Sequence, residues 1–257
     1  MIDKLSNATI QELPMAVSAA IKVVGSPSFF IRIAERSDMS TSTTERALLS
    51  SLASNLSATL QAVVETSETK AEEASLLVES IIKTCSEPDG EFIVPLKSSS
   101  KLSLKSAILS HPPHVFDETF VSTLDSWLNK AAKDELDGLV IILQTAMQYY
   151  AGYVVSEARR ELVKKVVEEV GGGEGGGEET EEGRFFDEML RSDPERWRGM
   201  VGELPEGVEI GGLIGEAQRT VESVVLGLEN GSVRQRVWAE YLREVVGVLE
   251  ERRKEEE

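Results

Sequence analysis

The chain has 257 residues, 41% of them hydrophobic and 28% charged, which supplies a real core and excludes disorder of the whole chain. At about 100–200 residues per domain it holds one large domain or two smaller ones. Its 27 basic and 45 acidic residues give a net charge of −18, which disfavours general binding to nucleic-acid phosphates and suits solvated helix faces or a basic partner surface.

Met1 to Leu13 mix charged and polar side chains without an apolar run, so neither a secretory signal nor an Arg-rich transit peptide is predicted. Short helices are predicted over 11–24 and 28–37, the second opened by Pro27 after Gly25-Ser26. The second crowds Phe29, Phe30, Ile31 and Ile33 beside Arg32 and Arg36. That chemistry fits docking of a partner or peripheral contact with a membrane. Core packing is the expectation.

Leu48, Leu52, Leu56, Leu60, Val63 and Val64 recur at helical spacing over 44–66, after a Ser/Thr cluster from Ser40 to Thr44 that supplies an N-cap. Ala71, Ala74, Leu77, Val78, Ile81, Ile82 and Cys85 repeat the pattern over 70–85. The short link from Thr66 to Thr69 predicts an antiparallel αα-hairpin. Cys85 is the single cysteine, so no intrachain disulfide forms, which fits a reducing compartment. Its expected role is packing.

Pro88-Asp89-Gly90 predicts a turn, and Phe92 to Leu96 a short extended piece in which Pro95 bars a central strand. His111-Pro112-Pro113-His114 breaks the chain. The two prolines prevent a helical presentation of both imidazoles to a metal, so a structural turn is expected.

A second hairpin follows. Phe116, Phe120, Leu124, Trp127 and Leu128 mark one helix. Leu136, Leu139, Val140, Leu143, Met147, Tyr150 and Val154 mark the next. Leu139 to Val155 is 17 residues without a charge. A membrane span needs about 20 predominantly apolar residues. This stretch holds Gln144, Thr145, Gln148 and Gly152 and is flanked by Asp137 and Glu157, so it is expected to be a buried central helix and no transmembrane span. The charged continuation over 157–170 is expected to leave the core.

Composition changes near residue 170. Residues 1–170 carry 24 Ser and 4 Gly, with 16 basic against 23 acidic residues, a net of −7. Residues 171–257 carry 3 Ser and 16 Gly, with 11 basic against 22 acidic residues, a net of −11. The shift marks a junction between exons, between domains or between coding sequences joined in error. The junction reads GGGEGGGEETEEG over 171–183, where glycine entropy and glutamate repulsion predict a flexible linker. A phosphate-binding loop needs Gly-Lys-Ser/Thr, and no lysine follows until Lys254.

Beyond the linker a short helix is predicted near 185–191. Ser192-Asp193-Pro194-Glu195 then reads as a capping box with proline in the first turn. Leu213, Ala217, Val221, Val224, Val225 and Leu228 mark a further helix that Asn230-Gly231 ends. Val233, Val237, Tyr241, Leu242, Val245, Val246 and Leu249 mark the last. Two helices alone bury little, so this pair is expected to pack on something.

The fold class predicted is all-α: a multi-helix bundle of αα-hairpins over 1–170, a Gly/Glu-rich linker over 171–183, and a small helical segment over 184–257. No repeat period of a solenoid family is present. No catalytic, cofactor-binding or metal-ligating residue is nominated: the chain has no Gly-x-Ser-x-Gly elbow, and carboxylates are too abundant to mark a pair. The residues nominated for an apolar interaction surface or pocket are Phe29, Phe30, Trp127, Tyr149, Tyr150, Trp238 and Tyr241, although aromatics in helical stripes are more often core.

Phe29-Phe30-Ile31-Arg32-Ile33-Ala34 and Leu136-Asp137-Gly138-Leu139-Val140-Ile141-Ile142-Leu143-Gln144 resemble stretches of uncharacterised helical proteins of plant and algal plastids. The resemblance covers residues 10–155 and implies a stromal or thylakoid-associated protein. It carries over no functional residue.

The expected function is that of a non-enzymatic helical interaction or adaptor protein. It would dock a protein partner, or a second copy, through apolar faces of helices 212–229 and 232–254. The alternative is a carrier for a lipid or pigment, lined by the uncharged helix with Tyr149, Tyr150 and Tyr153. An enzyme with a scattered site is third.

Overall fold

The computed structural model describes every residue except Asn7, Ile10, Pro88, 171–179 and Glu257, and 166–170 by backbone alone. The described residues form twelve α-helices and no strand, so the fold is all-α. They divide into two compact units, Met1–Glu73 and Ala74–Glu257.

The first unit contains α1 (Ile2–Ser6), α2 (Leu13–Ala19), α3 (Ile21–Val24), α4 (Pro27–Met39) and most of α5 (Thr43–Lys83). The helix expected over 11–24 is two helices, interrupted at Ala20, whose φ of −119° lies outside the α region. Upstream, Thr9 and Glu12 form a capping box: Thr9 N–H donates to the Glu12 carboxylate at 3.0 Å, and Glu12 N–H to the Thr9 hydroxyl at 3.3 Å. Pro27 opens α4 as expected. The core gathers Leu5, Leu13, Val17, Val24, Phe29 and Ile33 with Leu49, Leu52 and Leu56 of α5.

The hairpin expected at Thr66–Thr69 does not form, because α5 runs unbroken for 41 residues. Nothing in its sequence stops it: no glycine or proline lies between 43 and 83. The Thr66 and Thr69 hydroxyls, which could favour a turn, instead donate to the carbonyls of Ala62 and Glu65 at 2.8 and 2.9 Å within the helix.

The second unit is built around α8 (Asp137–Val170). Packed on it are α6 (Ser98–Leu109), α7 (Glu118–Lys133), α9 (Glu181–Arg191) and α12 (Val233–Glu256). α10 (Pro194–Gly202) and α11 (Ile210–Thr220) complete the bundle, and a π-helical turn over Val221–Val225 follows α11. Ile142, Leu143, Ala146, Tyr150, Ala151, Val154 and Val155 are all buried, so the uncharged stretch is the bundle's central helix, as its composition predicts. Asp117 caps α7 by accepting from Phe120 N–H at 3.0 Å. Glu118 caps a different helix, accepting from the first two N–H groups of α12, Val233 at 2.7 Å and Arg234 at 3.2 Å.

Several expectations change here. The division expected between 1–170 and 184–257 falls inside the second unit, where α9 to α12 share one hydrophobic core with α6 to α8. Of the expected linker, 171–179 lie outside the described residues, while Glu181, Glu182 and Gly183 belong to α9, capped by the Thr180 hydroxyl at 3.0 Å from Gly183 N–H. The apolar faces expected to await a partner are closed: Leu213, Ala217, Val225, Leu242, Val245 and Leu249 are buried. Pro194 opens α10, but Asp193 makes no side-chain cap. The charged end of α8 stays in the core as far as Arg159, which is 6% exposed.

By length and composition, α5 and α8 are each long and apolar enough to cross a membrane. Half of the α8 stretch is buried within the protein, against 17% of the α5 stretch. The exposure of α5 went unforeseen.

Candidate functional site

Three helices of the second unit, α7, α8 and α12, enclose a cleft of about 410 Å³. Helical spacing sets its α8 wall. Ile141, Gln144, Thr145 and Gln148 lie at i, i+3, i+4 and i+7 and line the cleft, while Ile142, Leu143 and Ala146 turn into the core. Ala151 and Val237, with Met147 and Leu128, supply an apolar floor.

The rim is acidic. α12 presents Glu240 and Glu244, one turn apart on the same face, and α7 presents Asp125. Asp125 is held by Arg236 at 2.8 Å. Glu240 and Glu244 are exposed and form no ion pair among the described residues. Like charges at this spacing repel by a few tenths of a kcal/mol, roughly 0.2–0.5, so the pair is a small standing cost that a cation would relieve. Thr145 has little hydroxyl chemistry to offer, since it donates to the Ile141 carbonyl at 2.7 Å.

Behind the floor lie most of the aromatic residues nominated from sequence, and they are structural. Tyr241 lines the cleft with its ring but turns its hydroxyl inward, donating to the Leu190 carbonyl at 2.6 Å. Trp197 meets its ring edge-on at 5.6 Å. Burial, with Glu244 nearby, pushes the Tyr241 hydroxyl far up, so it remains a neutral donor. Trp238 donates its indole N–H to the Tyr150 hydroxyl at 3.1 Å, and burial pushes Tyr150 up to about 12. Phe116 and Phe120 close on the Tyr150 ring at 5.8 and 5.6 Å. Tyr149 is buried, its hydroxyl raised by burial and then by Asp193. Trp127 is half-buried against the same core. In the first unit, Phe29 is core, and half-buried Phe30 meets it edge-on at 6.3 Å.

The densest polar constellation was not foreseen. Arg159 is buried between Asp187 and Glu216, with one guanidinium nitrogen 2.9 Å from each carboxylate. Arg160 adds a bond to Asp187 at 2.7 Å, and Arg219 one to Glu216 at 2.5 Å. Arg191 pairs with Glu157 and donates to the Ser156 hydroxyl at 2.8 Å. Burial raises the Glu216 carboxyl, but Arg159 and Arg219 more than offset this and hold it below its ordinary 4.5. All members are mutually satisfied, so the cluster ties α8, α9 and α11 together and leaves no group poised for chemistry. The one sequence signal for it was the Arg159-Arg160 pair a few residues beyond the uncharged run, after Glu157.

His111 sits edge-on to Phe116 at 6.1 Å, and its carbonyl accepts from the Tyr153 hydroxyl at 3.1 Å. Among the described residues, no three His, Cys, Asp or Glu side chains converge as a metal site would need. No family model, curated protein or solved structure matches the chain.

Proposed function

We propose that the chain is a non-enzymatic α-helical interaction protein, an adaptor whose second unit docks a protein partner in the cleft between α7, α8 and α12. The observation that carries this reading is the cleft's make-up: an apolar floor, carboxamides on one wall and an unpaired glutamate pair on the rim. Such a surface offers packing and charge with no activated nucleophile. Its polar, acidic lining also suits a lipid or pigment poorly.

The exposed apolar residues of the first unit support the same reading. Leu48 and Val64 of α5 and Ile31 and Met39 of α4 are 62%, 44%, 57% and 77% exposed. Residues 47–64 carry no charge. Leu49, Leu52 and Leu56 of that stretch are core, so the exposed apolar residues lie on its other face, where they add to the apolar surface open to a partner.

The test is chemical cross-linking in the native cells followed by purification and mass spectrometry. The reading expects a stoichiometric protein partner with cross-links to the Lys130 region and α12. A chain recovered alone, or one carrying extracted lipid or pigment, contradicts it. Sedimentation with vesicles separates membrane contact through 47–64 from protein contact.

A further inference from the structure

Resting on that reading, we infer that the occupant of the α7–α8–α12 cleft is a basic amphipathic α-helix presented by the partner. Three features of the cleft specify it. From Ile141 to Ala151 the α8 wall runs ten residues, about 15 Å, which matches nearly three turns of a docked helix. The floor of Leu128, Met147, Ala151 and Val237 is apolar, and the volume of about 410 Å³ takes two or three large side chains spaced i, i+3/i+4 and i+7.

The rim decides the sign of the partner. Glu240 and Glu244 repeat at one helical turn, so they face Lys or Arg residues at the same spacing on an adjacent helix. They have no cation of their own among the described residues, whereas Asp125 across the cleft is already paired with Arg236. The second unit supplies a field of the same sign: its 21 basic and 36 acidic residues leave a net charge of −15. That field steers a basic segment toward the cleft and repels an acidic one. A second copy of this acidic chain is therefore a poor occupant.

The experiment is fluorescence anisotropy of the full-length chain with a labelled, helix-forming peptide of leucine and lysine, about 14 residues long. Controls are a scrambled peptide of identical composition and a leucine–glutamate analogue. The inference expects saturable binding of the Leu/Lys helix. It should weaken about tenfold when salt is raised from about 50 to 300 mM. It should also weaken about fivefold in the double variant Glu240→Gln/Glu244→Gln, whose exposed positions leave the fold intact. Ile141→Lys, at a position 41% exposed, should weaken it at least as much by repulsion. The scrambled peptide should bind at least tenfold more weakly, and the Leu/Glu helix not at all.

Equal binding of the scrambled peptide, or no change in the double glutamine variant, overturns the inference, since the attraction then belongs to the net charge. A failure of this kind is distinguishable from failure of the wider reading. If the native partner still cross-links to the double variant, the interaction function stands and the basic helix falls.

Discussion

Arg159 of α8 and Asp187 of α9 form a buried ion pair at 2.9 Å, with side chains 7% and 2% exposed, across the junction where the composition of the chain changes. Breaking one partner of such a pair leaves the other charge buried and costs about 3–5 kcal/mol. Asp187→Ala leaves Arg159 still held by Glu216, so it is expected to lower stability by less than that, roughly 1.5–3 kcal/mol, read as a fall in the urea midpoint with unchanged slope. Arg159→Met should cost at least as much, because it leaves two buried carboxylates, Asp187 and Glu216, each with one partly exposed arginine, Arg160 and Arg219.

The same cluster gives a pH dependence. The carboxyl of Glu216 is held below its ordinary 4.5 in the folded protein, so its contribution is fully present above that value and is lost as pH falls through the folded value. Acid titration of the unfolding free energy should show a decline that begins near pH 4.5 and steepens below it. Glu216→Gln should be less stable than the wild type at pH 7 and should decline less over that window.

Gly152 marks the closest approach of α8 to α9 and α12. A methyl group there would lie 2.2 Å from the Leu190 carbonyl oxygen and 2.6 Å from the Tyr241 hydroxyl. Since the first of these is backbone, α9 itself must move. Gly152→Ala is expected to destabilise by about 1–3 kcal/mol or more, although alanine is the better helix former. Thermal melting checks this: a neutral or raised Tm would deny the close packing.

The continuity of α5 is also measurable. Spin labels at the exposed positions Ser57 and Glu72, with buried Cys85 replaced by alanine, should report backbone points about 22 Å apart, as expected for 15 residues of unbroken helix. The hairpin that the sequence suggests would bring them to about 13 Å.

These residues show where the sequence was legible. The helical periodicity of 116–128 and 136–154 and the proline at 27 located real elements, because burial and backbone geometry act there over a few residues. The threonines at 66 and 69 misled because their hydroxyls serve a helix as readily as a turn. The composition change near 170 suggested a domain boundary, yet folding places Arg159 between two carboxylates from beyond it. Sequences joined at random give no reason for that match. The cleft was the least legible feature. Ile141, Gln144 and Gln148 lie in a stretch expected to be a buried central helix, and only packing against α7 and α12 shows which side stays open.

The central claim, that this cleft is the docking site of a protein interaction module, is tested most directly by hydrogen exchange of the full-length chain with and without the Leu/Lys helix. The account predicts added protection confined to residues 141–151 of α8 and 237–244 of α12, which takes about fivefold more peptide to reach in Glu240→Gln/Glu244→Gln. Protection spread over the acidic surface, or confined to α5, would contradict it.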